Sequence, residues 1–144
     1  MASEHEILFR GQTRRRGEKV RMADRAPVEG NWVYGGVFAP NQTGDFAVIY
    51  GYDPVEKHSV YRDTVGQYTG LKDKNGKRIF EGDIVNYNGT AHQVVFEQRG
   101  GCAYFGIVMD DTETWMFDAS VPAYIMEIIG NIYDNPELLE EGTE

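Results

Sequence analysis

Five short runs crowded between residues 84 and 129 constrain this chain more than any other feature. Residues 84–87, 93–97, 102–109, 113–117 and 125–129 are rich in Val, Ile, Phe and Tyr, and Asn88-Gly89, Gly100-Gly101 and Asp110-Asp111 separate the first four. Asn and Gly tolerate the positive φ that tight hairpins need. Short strands at nearly even spacing predict a small barrel or sandwich instead of a parallel sheet. The fold class expected is therefore mainly β.

The upstream half reads in the same way, less sharply. Residues 6–9 form a short apolar run closed by Arg10-Gly11. Residues 31–38 are aromatic and β-branched, and with residues 46–50 they predict an antiparallel hairpin. Short strands are also expected at residues 19–22 and 57–62. Asp73-Lys-Asn-Gly76 predicts a tight turn. Near the end, Asn135 suits a helix N-cap, Pro136 the first helical position and Glu137 the first turn, so a short C-terminal helix is expected.

A chain of 144 residues suits one domain or two very small ones, and we place a boundary between a β region at 1–70 and a second domain at 71–144. One cysteine, Cys102, excludes an internal disulfide and any multi-cysteine zinc site, which suits a reducing cytoplasm. The start is acidic and lacks an apolar leader, and no apolar run approaches the roughly 18 residues of a membrane span, so no membrane partner is expected.

Charge is unevenly placed. Residues 1–25 hold seven basic side chains against four acids, while the other 119 residues hold seven basic and nineteen acidic ones, within a net charge of −9. An acidic body repels nucleic acid at long range. The basic arm is the exception: Arg14, Arg15, Arg16, Lys19, Arg21 and Arg25 could neutralise phosphates, with Trp32, Tyr34 or Tyr68 stacking on bases.

Three segments carry a resemblance: Trp32-Val-Tyr-Gly35, the block Val-Gly-Gln-Tyr-Thr-Gly-Leu-Lys-Asp-Lys-Asn-Gly-Lys-Arg-Ile-Phe-Glu-Gly-Asp-Ile-Val at residues 65–85, and Ile-Ile-Gly-Asn-Ile-Tyr-Asp-Asn-Pro-Glu-Leu-Leu at residues 128–139. Together they resemble the YopX family of bacteriophages and prophages. That resemblance implies an N-terminal β region followed by a small SH3-like barrel, entered at Glu81-Gly-Asp-Ile-Val85. It carries no catalytic residue, cofactor or ligand onto this chain.

Motifs for chemistry are missing. No His-Glu-x-x-His or Cys-x-x-Cys spacing surrounds His5, His58 or His92, and no phosphate-binding glycine pattern occurs. Cys102 with His92 as its base lacks a positive neighbour in sequence to activate the thiol. Asp110, Asp111, Glu113 and Asp118 do not follow a calcium-loop pattern and read as a solvated turn. No catalytic residue, metal or cofactor is expected. The functional expectation is a non-catalytic accessory protein of a phage, forming a homo-oligomer or binding another phage or host protein; the alternative is nucleic-acid binding through the basic arm and Trp32.

Overall fold

A computed structural model describes residues 6–13, 32–40, 45–51 and 57–141. It is mainly β, with twelve strands and one short helix among those residues. The chain divides into two compact units, Met1–Tyr68 and Thr69–Glu144.

In the first unit, β1 (Phe9–Gln12) pairs antiparallel with β2 (Trp32–Gly35), and its Phe9 and Arg10 pair with Gln67 and Gly66 of β6 (Gly66–Lys72). A separate antiparallel sheet has the order β3 (Val37–Pro40), β4 (Phe46–Tyr50), β5 (Lys57–Tyr61). The run at 31–38, expected as one strand, is thus cut at Gly36 into strands of two sheets. The expected apolar strand at 6–9 lies instead three residues later, at β1. There Gly11 belongs to the strand because a Cβ on it would meet Val60 Cγ2 at 2.8 Å. Ala47, Ile49 and Val60 form this unit's core, with Phe9, Val33 and Val65 packed on it. The strand expected at residues 19–22 falls outside the described residues.

In the second unit, β6 leads through a turn at residues 73–77 to β7 (Arg78–Phe80). Then β8 (Asp83–Tyr87), β9 (Thr90–Arg99), β10 (Cys102–Val108) and β11 (Thr114–Met116) run as an antiparallel meander. A 3-10 turn at Ala123–Ile125 precedes β12 (Glu127–Asn131), which returns to pair with β8. The sheet order is β11-β10-β9-β8-β12. Asn88 and Gly89 both hold positive φ (53° and 85°), so the hairpin turn expected there forms.

The mainly β expectation holds, but the SH3-like barrel does not close. Among the described residues β11 and β12 are the open edges of a five-stranded sheet. The sheet nevertheless curls. Five flat strands would hold their edges roughly 19 Å apart at ~4.8 Å per strand. Yet Phe117, just past β11, and Ile128 of β12 both pack on one core of Ile79, Val85, Tyr87, Val94, Ile107, Val121, Ala123 and Met126. Gly106 marks a close approach of two strands. A Cβ there would collide with the carbonyl of Trp115, so the backbone of β11 passes directly over a position only glycine can fill.

Asp73 fastens the 73–77 turn to β12. Its Oδ1 accepts the amides of Asn75 and Lys77, both at 2.9 Å, and its Oδ2 accepts the amide of Ile128 at 3.0 Å. Burial opposes the charge, but the three amides and the Lys77 ammonium outweigh it and hold the carboxyl below its ordinary range. The final helix, α1 (Glu137–Glu141), forms where expected but without the expected cap. Asn135 turns its Oδ1 back to accept the Asn131 amide at 3.2 Å, over a Gly130 that has no Cβ to obstruct it.

Candidate binding surfaces

The second unit leaves aromatic side chains in water on β9 and β11, with half-buried ones on β10. Phe96 and Phe105 are paired in register across β9 and β10, and their rings sit 5.0 Å apart with a 58° tilt. The Phe117 amide donates to the Phe105 carbonyl at 3.1 Å, which carries the row onto the third strand. Trp115 pairs with Ile107 and is therefore the diagonal neighbour of Phe105. Phe96 is 45% exposed and Trp115 37%, with Phe105 half-buried, while Met116, opposite Gly106, faces the other side of β11. Isolated exposed apolar residues are ordinary; several on adjoining strands make a patch.

Acids border this patch. The indole Nε1 of Trp115 donates to Glu113 Oε1 at 2.8 Å, fixing that carboxylate beside the ring. Arg99 donates to Glu97 Oε1 at 3.1 Å and to the Thr112 carbonyl at 3.4 Å, tying the far end of β9 to the turn that holds Asp110 and Asp111. Asp110 Oδ1 accepts both the amide and the hydroxyl of Thr112, which hold its carboxyl below the ordinary range despite a small opposing desolvation. Asp110 thus acts as a turn former, as the sequence suggested. Among the described residues no three His, Cys, Asp or Glu side chains are grouped to hold a metal ion.

A second aromatic group lies in the first unit. Gln12 pairs with Trp32 and Arg10 with Tyr34, so all four share one face of the β1–β2 ribbon. The Arg10 guanidinium sits 4.6 Å from the centre of the Trp32 ring, a cation–π contact that already covers one face of the indole. Tyr34 is 49% exposed, whereas Tyr68 is buried and cannot stack on a base. The basic residues expected to accompany Trp32, namely Arg14, Arg15, Arg16, Lys19, Arg21 and Arg25, lie outside the described residues.

His92 and Cys102 are not brought together. Cys102 pairs with Arg99 at the tip of the β9–β10 hairpin, seven residues from His92, or roughly 23 Å at 3.3 Å per residue. The imidazole is buried and held at both nitrogens, Nδ1 2.9 Å from the Val108 carbonyl and Nε2 2.6 Å from the Thr90 hydroxyl. A carbonyl only accepts, so Nδ1 carries a proton. This is a histidine that fastens β9 to β10.

The family model for the YopX protein matches residues 29–140. The chain belongs to the YopX family. The match includes Phe96, Phe105 and Trp115, and it leaves the basic residues Arg14 to Arg25 outside. No curated protein matches the sequence. Among solved structures, the crystal structure of protein EF1440 from Enterococcus faecalis is similar over 94% of this YopX-family chain and 99% of that one, at 21% identity and a TM-score of 0.43. No helix among the described residues of this YopX-family chain is long and apolar enough to cross a membrane.

Proposed function

We propose that this YopX-family chain is a phage- or prophage-encoded accessory protein that acts in the cytoplasm as a non-catalytic binding or assembly module. Its partners are a second copy of itself and a further phage or host protein. The observation that carries this reading is the aromatic surface of the second unit, exposed Phe96 and Trp115 with half-buried Phe105, on a sheet whose edge strands are open among the described residues. Apolar area of that kind gains free energy when a partner removes it from water, at roughly 25 cal/mol per Å². Light scattering on the full chain over a range of concentrations tests it. A mass rising above the 16.3 kDa of one chain supports assembly, and a constant single-chain mass counts against it.

The alternative is a nucleic-acid-binding protein using Arg14, Arg15, Arg16, Lys19, Arg21, Arg25 and Trp32. The charge of that segment favours it, and the Arg10 guanidinium over Trp32 weighs against a stacking role for that indole. Fluorescence anisotropy with labelled single-stranded and duplex oligonucleotides at two salt concentrations separates the two. Salt-sensitive binding, lost in R14E/R15E/R16E, would favour the alternative.

A further inference from the structure

We propose that the aromatic surface of β9, β10 and β11 is the dock for the arginine-rich segment, residues 14–25, of a second copy of this chain. The proposal rests on the assembly reading above and adds the surface and its occupant to it. The second unit carries fourteen acids against five basic residues, which equals the whole net charge of −9. Residues 14–25 carry six basic side chains against two acids. Beside the patch stand the acids Asp110, Asp111 and Glu113, and the nearby cation Arg99 is already paired with Glu97.

The chemistry of the surface selects arginine. A guanidinium stacks flat on an aromatic ring and donates from its edge to a carboxylate, which a compact ammonium does not do as well. Trp115 and Glu113 offer both partners side by side, since the indole N–H already holds the carboxylate in place. The first unit makes the same kind of contact internally, with Arg10 over Trp32. A phosphate backbone would meet the acids of this patch and be repelled. Each copy supplies one basic segment and one acidic face, so two reciprocal contacts close a symmetric dimer.

The test uses two charge-reversed full-length variants, R14E/R15E/R16E and D111R/E113R, measured by light scattering alone and mixed. The wild type is expected to associate. Each variant alone is expected to associate at least about tenfold more weakly, the ratio that corresponds to 1.4 kcal/mol. An equimolar mixture is expected to recover association, because each then meets its opposite charge; recovery also shows that both variants are folded. A wild type that stays at 16.3 kDa overturns this proposal and the assembly reading together. A wild type that associates while both variants associate equally, or variants that dissociate without recovery on mixing, overturns the dock and leaves assembly to another surface.

Discussion

Replacing Asp73 by Asn removes one charge and almost no volume, and the geometry specifies which bond is lost. The carboxylate takes three backbone amides, two inside its own turn and one from Ile128, 55 residues away. An Asn side chain can still accept Asn75 and Lys77 through its oxygen. Its NH2 would then face the Ile128 amide, donor against donor. A net hydrogen bond to a charged group contributes roughly 1.5–3 kcal/mol, and D73N should lose about that much. D73A loses all three acceptors, but Asn75 and Lys77 are exposed and their amides can turn to water, so we expect about 3–4 kcal/mol instead of three times the single value. The sign with pH follows from the direction of the shift. A carboxyl held low in the fold stabilises it above the unfolded value near 3.9, and that contribution fades as pH falls through the folded value. The gap between wild type and D73N should therefore be full at pH 7 and shrink progressively below about pH 4. Urea unfolding at a series of pH values gives the gap, and amide hydrogen exchange at Ile128 gives the local effect. Loss of protection at Ile128 is expected in D73N. Unchanged protection there, or a stability gap as large at the lowest pH as at pH 7, would refute the reasoning.

Other substitutions probe the remaining contacts. Gly106→Ala should destabilise the chain by about 2 kcal/mol or more, because the colliding atoms are backbone of β11 and cannot rotate away; a melting temperature within 2 °C of the wild type would contradict this. Met126→Ala removes a fully buried side chain from the second unit's core and should cost roughly 2–5 kcal/mol in urea unfolding. Thr64 is fully buried, donating to the Tyr61 carbonyl at 2.6 Å and accepting the Gln12 amide at 2.9 Å. Thr64→Val should cost about 1–3 kcal/mol, with Thr64→Ser recovering most of it.

Much of the second unit was legible because its signals are local. Asn75-Gly76 and Asn88-Gly89 make turns on their own account, and the strands between them alternate simply enough for β8 to β11 to fall within a few residues of the runs expected. Elsewhere the deciding contacts were distant in sequence. Arg10-Gly11 reads as the end of a strand until Val60 and Ile49 are seen pressed against Gly11, where only a glycine fits. Asn135 reads as a helix cap until the Cβ-free Gly130 lets its Oδ1 reach the Asn131 amide. Barrel closure could not be read from spacing at all, since it depends on whether β11 and β12 meet. The aromatic surface was missed for a related reason. Phe96, Phe105 and Trp115 look like core residues in their strands, and the register does put them on the same face as the buried Val94 and Ile107; Phe96 and Trp115 are left exposed there, with Phe105 half-buried. The one sequence signal was their company, with Glu97, Glu113 and the Asp110-Asp111 turn close by.

The central claim is that the aromatic surface of the second unit is covered when the protein works. Trp115 reports on it directly once the other indole is removed by Trp32→Phe. Acrylamide quenching of the remaining fluorescence, followed from dilute to concentrated protein, should fall as copies associate and Trp115 leaves the solvent. Quenching that stays constant while light scattering shows the mass increasing would place the interface elsewhere and contradict the account.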